Sequence, residues 1–165
     1  MDGRAHYDQL LALYDPAKHR SLATRFGQDI RVMVLSMRCP ALWMLGYPEA
    51  ALADVDQALK DAREIGHAAS LMYALAMTSF LHLLLGNYAV VNAQADELVT
   101  LAEEKSAPFW KAWGQLFHGH VWALTGKPSD ADIWDRCIPI NGGNTRFDGL
   151  ASISGERSYR ASPIR

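Results

Sequence analysis

The chain has 165 residues, half of them hydrophobic and 21% charged, with a formal net charge of -2. One domain with one core is expected from that length and apolar content. The near-neutral balance excludes the long-range field of a nucleic-acid binder.

No apolar run reaches the ~18 residues of a membrane span, and the N-terminus MDGRAHYDQL has no apolar signal region. Cys39 and Cys137 are the only cysteines. Two distant thiols fit a reducing compartment, so the cytoplasm is expected.

In chain order, residues 6–14, HYDQLLALY, form an amphipathic helix that Asp15-Pro16 stops. Ser21 or Asp29 opens the next helical stretch. Residues 1–29 thus read as a partial leading element and linker. A helix from about Ile30 to Leu45 follows, with Pro40 inside it and Val32, Val34, Leu35 and Leu42 as its apolar pattern. That pattern continues on both sides of Pro40, which predicts a kinked helix rather than a break.

Gly46 ends this helix, and forty residues later Gly86 ends the next. Forty further on is Gly126. Around them stand LGYPEAAL, LGNYAVVN and TGKPSDAD. Seven residues before each glycine come the small residues Cys39, Ser79 and Gly119. Five residues after come Ala51, Val91 and Ala131. Each unit reads as a helical hairpin. A glycine at the joint tolerates the left-handed conformation that ends a helix. Pro48 suits the first turn of the following helix, where no N–H is needed. Small residues at 39, 79 and 119 let two backbones approach closely. The units run over about 30–66, 67–106 and 107–138. The last begins its second helix at Pro128-Ser129 and meets Pro139 and INGGNTRFDG, which cannot continue it. Residues 139–165 read as a disordered or degenerate tail.

Few motifs carry chemistry. His118 and His120 in HGH stand two apart, about 200° around a helix, so they do not converge on a metal. Cys39 and Cys137 lack a C-x-x-C partner, so no zinc is expected. Gly126-Lys127 fails the phosphate-loop spacing, with Val121 and Pro128 where Gly and Ser or Thr belong. Asp54, Asp56, Asp61 and Glu64 read as a solvated helix face, not an acid–base pair. No catalytic constellation, metal or cofactor is expected.

The repeated small residue, Leu-Gly and Ala columns resemble the tetratricopeptide-repeat family. Ala58 and Leu59 match its later Ala-Leu columns. The stretch ALWMLGYPEAALADVDQALKDAREIGH, preceded by LALYDPAKHRSLATRFGQDIRV, is similar to the C-terminal helical repeats of large bacterial regulators. In those regulators a cyclase or DNA-binding output domain precedes an ATPase module. The period departs from that family's usual one, which implies longer helices.

The resemblance implies an all-α solenoid of stacked antiparallel hairpins, about two good repeats flanked by partial ones. It implies a non-enzymatic protein-interaction module, expected to be a fragment of a signalling regulator, with effector sensing on the repeats as the alternative. First helices line the groove in such arrays. Carrying the groove columns over gives Met33, Tyr73 and Trp113, then Pro40, Phe80 and His120, then Trp43, Leu83 and Ala123. For Trp43 and Leu83 a place in the core remains open. The resemblance implies that the groove takes a protein or peptide partner and that open repeat ends allow self-association. Nucleic acid and membrane are not expected partners. Members that clamp a peptide carboxylate use Lys, Arg and Asn in these columns, which this chain lacks.

Overall fold

The computed structural model describes residues 3–125. Gly126, Ala131, Cys137, the second helix expected from Pro128 and the tail at 139–165 lie outside the described residues. Within them every regular element is helical. None of these helices is long and apolar enough to cross a membrane.

The elements are α1 (Gly3–Leu13), α2 (Pro16–His19), α3 (Ala23–Phe26), α4 (Ile30–Met44), α5 (Pro48–Ile65), α6 (Ala68–Leu84), α7 (Tyr88–Glu104) and α8 (Pro108–Thr125), with a 3-10 turn at Arg20–Leu22. Asp15-Pro16 separates α1 from α2 and also starts α2. Asp15 Oδ1 accepts from the Ala17 N–H at 3.0 Å, and Pro16 takes the first turn. Asp29 caps α4 by accepting from the Val32 N–H at 3.1 Å. The Tyr14 hydroxyl donates to its other oxygen at 2.6 Å, and the Asp29 N–H donates to Ser70 Oγ at 2.8 Å. Asp29 therefore ties three elements together: its carboxylate joins the residue after α1 to the start of α4, and its backbone N–H joins the start of α6.

Helix α4 is continuous through Pro40. Proline removes the N–H that would bond the Ser36 carbonyl one turn back. The Cys39 thiol takes that place, donating from Sγ to the Ser36 oxygen at 3.2 Å. Burial first, and then Asp54, pushes the Cys39 thiol up to about 12, so it remains a protonated donor.

The two joints at Gly46 and Gly86 close in the same way. Gly46 has φ 86° and Gly86 φ 73°. The Gly46 N–H reaches Trp43 O at 3.0 Å and the Tyr47 N–H reaches Leu42 O at 2.9 Å. Forty residues on, Gly86 bonds Leu83 at 3.1 Å and Asn87 bonds His82 at 2.9 Å. This pair of reversed bonds satisfies the last carbonyls of a helix and requires a left-handed residue. The joints between units match as well: Gly66 has φ 69° and Ser106, forty on, has φ 51°. A serine there bears the strain that glycine avoids, about 1 kcal/mol. Ser106→Gly should therefore stabilise the fold by roughly 0.5–1 kcal/mol, and Gly66→Ser should destabilise it by a similar amount. Urea melts of both variants check the pair of signs.

Helix α4 packs on α5, α6 on α7, and α8 on α7, while α4, α6 and α8 also touch in sequence. Ala51, Ala58, Ala62, Ala74, Ala76 and Ala95 are fully buried, and with Cys39 and Ser79 they keep the helices close. Leu75, Leu81, Leu98, Val32, Val55 and Val91 are the largest apolar side chains that are fully buried.

Two of the carboxylates expected on a solvated face are buried instead. Asp54 is 6% exposed and Asp61 is 7% exposed. Arg38 grips Asp54 through Nε and Nη2, both at 2.7 Å, and Nη1 also reaches Asp8 on α1. Arg31 Nε donates to Asp61 at 2.7 Å, and Gln57 holds its other oxygen at 2.7 Å. A helix-period reading of α5 alone sees two carboxylates at the edge of a polar face and not the arginines that α4 sets against them. Asp56 and Glu64 do stay exposed. The partner positions run in opposite directions, so α4 and α5 are antiparallel. In the second hairpin the forty-shifted positions of Arg38 and Asp54 are Thr78 and Gln94, and Thr78 Oγ1 donates to Gln94 at 3.2 Å. The same crossing carries an ion pair in one unit and a neutral hydrogen bond in the next.

Candidate functional site

The bonds from Arg31, Arg38 and Thr78 face α5 and α7, so the expected columns lie on the opposite faces of α4 and α6, and the forty-residue spacing carries them on to α8. Met33, Tyr73 and Trp113 lie half-buried along this surface. In the next expected column Pro40 is half-buried, Phe80 is 44% exposed, and His120 is exposed. Phe80 is therefore a surface residue, not a core residue. Trp43 and Leu83 sit at the margin, half-buried and packed against the core, while Ala123 is exposed.

Two further columns share the surface and were not read from the sequence. One is Met37, Met77 and Phe117, which passes from exposed to half-buried to buried. The other is Met44, Leu84 and Leu124, exposed by 72%, 41% and 58%. Both stand one helical turn from the expected columns and repeat at forty residues, so the spacing alone could have found them.

At the α8 end the surface is aromatic. Trp110 meets Tyr73 edge-on, with ring centroids 6.2 Å apart, and Phe109 at 5.1 Å. Trp113 lies 6.4 Å from Phe109 and 5.9 Å from Phe117. Trp110 thus connects Tyr73 to the ring cluster around Trp113. Burial, with smaller contributions from Tyr7 and Cys39, raises the Tyr73 phenol above its ordinary value and keeps it neutral.

The surface carries almost no formal charge. Helix α6 has no Asp, Glu, Lys or Arg, and Lys111 of α8 pairs with Glu103 at 2.9 Å. The repeat-defining residues divide between core and joints. Cys39, Ala51, Ser79 and Val91 are fully buried, Gly119 is half-exposed, and Gly46 and Gly86 form the joints.

The histidines are dispersed. His118 faces α7, with Nε2 3.1 Å from Asp96 and Nδ1 3.2 Å from Asn92, while His120 Nδ1 lies 2.8 Å from the Leu116 carbonyl. Among the described residues no group of three or more His, Cys, Asp or Glu is placed to hold a metal ion. A cavity of about 290 Å³ opens between α6 and α7, lined by Leu71, Glu97, Thr100, Leu101 and Glu104, away from all of these columns.

His82 is 8% exposed, at a position where α4 has Leu42. Burial lowers its pKa, opposed in part by Asp56. The folded state thus prefers the neutral ring, and the unfolded chain binds more protons. Stability is complete above the free histidine value of about 6.5 and is lost as pH falls from there towards the lowered folded value. His82→Leu should flatten that part of the pH profile, as read from urea midpoints on either side of the window.

No family model, curated protein or solved structure matches this chain.

Proposed function

We propose that the chain is a tetratricopeptide-like α-solenoid that acts as a non-enzymatic protein-interaction module. The partner is a protein or peptide whose apolar helical face lies on the surface of α4, α6 and α8. The observation that carries this reading is the set of columns at forty-residue spacing, which bring aromatic and methionine side chains to one surface with almost no formal charge. A contiguous exposed apolar patch of this kind marks a docking site more often than a bare surface. Apolar burial supplies the affinity, at roughly 25 cal/mol per Å² before association costs. Met33, Met37, Met44 and Met77 can adapt to partners of different shape. On the resemblance described above, the proposed setting is the cytoplasmic sensor region of a signalling regulator. Effector sensing would need an enclosed pocket at these columns, whereas the cavity described opens elsewhere.

The test is selection of helical peptides from a displayed library against the full chain. Phe80→Ala should weaken the selected peptides about tenfold or more while helicity by circular dichroism stays unchanged. Peptides that bind the variant as tightly as the parent would refute the site. A dose-dependent thermal shift with a metabolite, and no peptide binding, would favour the sensing alternative.

A further inference from the structure

The joints at Gly46 and Gly86 share one backbone geometry and differ in the pair of side chains it brings together. In this turn the residue after the glycine bonds back to the residue four before it, and an apolar contact between those two side chains commonly accompanies the bond. Leu42 and Tyr47 hold these positions in the first joint, and His82 and Asn87 hold them in the second. The Asn87 N–H donates to the His82 carbonyl at 2.9 Å, and the Asn87 amide nitrogen lies 3.4 Å from His82 Nδ1. Asn87 is also the residue before α7, where asparagine ordinarily caps a helix through its own side chain. It makes no such bond here and lies against the imidazole instead.

We propose that the second joint is a proton-sensitive latch, closed while His82 is neutral and loosened when the ring takes up a proton. The neutral ring accepts the Asn87 amide at Nδ1 and carries its hydrogen on Nε2. An imidazolium has a hydrogen on both nitrogens, so it cannot accept that bond, and it places a charge on a residue only 8% exposed. The opening is local. Gly86 and Asn87 lose their reversed bonds, while the first joint, with Leu42 in place of the histidine, keeps its own.

Little around His82 offsets the charge. Helix α6 packs on α4, α5, α7 and α8. Asp56 of α5 is the carboxylate that favours the charged ring, and burial outweighs it, so the pKa lies below the ordinary histidine value. Arg31 and Arg38 of α4 are bound to Asp61 and Asp54, and the Cys39 thiol stays protonated. Residues 88–95 of α7 carry no formal charge, and Tyr88 is their one titratable side chain. On α8, Lys111 and His118 are held by Glu103 and Asp96, and His120 lies against the Leu116 carbonyl. Leu83 and Leu84 follow His82 directly and belong to columns of the proposed docking surface. Control of that surface by the latch rests on the docking reading above; the latch itself does not.

Amide hydrogen exchange by NMR on the full chain tests the latch, at about one pH unit above and about 1.5 below the free histidine value of ~6.5. No peptide is present, so the outcome is independent of whether one binds. Protection factors, which remove the intrinsic pH dependence of exchange, are compared between the two joints. At the lower pH the Gly86 and Asn87 N–H groups should lose protection about fivefold or more relative to those of Gly46 and Tyr47. His82→Leu gives the second joint the first joint's residue and should hold that ratio constant, as should His82→Leu with Asn87→Tyr. A ratio that stays constant in the parent, as when the whole fold loosens together, overturns the proposal. A fall that persists in either variant overturns it equally, because another group then carries it.

Discussion

Arg38→Met should lower the stability of the fold by about 3 kcal/mol. The guanidinium holds both oxygens of Asp54 at 2.7 Å, and the Asp54 side chain is only 8% exposed. Arg38 itself is raised above its usual range, first by its hydrogen bond to Asp54, against the opposing effect of burial. Removing the cation leaves a carboxylate in the α4–α5 seam without its partner. The penalty is that of the orphaned charge rather than the value of the pair. Arg38→Met with Asp54→Leu should consequently recover most of the loss, to within about 1 kcal/mol of the parent. The second hairpin already supports this direction, because Thr78 and Gln94 fill the same crossing without charge. Urea unfolding of the parent, both single variants and the double variant closes the cycle. A double variant as unstable as Arg38→Met alone would mean that the arginine acts through packing of its stem and not through the carboxylate.

Gly114→Ala should cost roughly 1–3 kcal/mol, although alanine is the better helix former by about 1 kcal/mol. A Cβ built at Gly114 lies 2.6 Å from Val99 Cγ2 and 3.1 Å from the Ala95 carbonyl oxygen. The valine can rotate, but the backbone oxygen cannot move without separating α7 from α8. Gly114→Ala with Val99→Ala should relieve the first clash and leave the second, so rescue should be partial. Thermal melts of the single and double variants check it. A stabilised single variant would show that the α7–α8 crossing is looser than these distances.

The hairpin joints were legible in the sequence because glycine is nearly obligatory where a helix reverses. The forty-residue spacing of Gly46 and Gly86 therefore translated directly into two matching left-handed caps. Pro48 was legible for the same local reason, since it omits an N–H where a helix start needs none, and Asp29 was one of the two starts that the sequence left open. Contacts made across helices were not. Asp54 and Asp61 could not be recognised as buried from α5 alone, although Arg31 and Arg38 share their seven-residue spacing. Gly114 carries no turn signal, and only the approach of α7 shows why it lacks a side chain. The columns of the proposed docking surface were legible in part. Met33, Tyr73, Trp113 and Phe80 follow from the glycine register, whereas Trp110 stands outside it and joins Tyr73 only through tertiary packing.

The methionines provide the most direct measurement of the proposed docking surface. Met33, Met37, Met44 and Met77 belong to its columns, while Met72 of α6 is buried, 4% exposed. A selected helical peptide can be titrated into the full chain labelled with 13C at its methionine methyl groups. The resonances of Met37, Met44 and Met77 should shift or broaden together with Met33, and Met72 should stay in place. Saturable binding that leaves those four methyl groups unmoved would contradict the account.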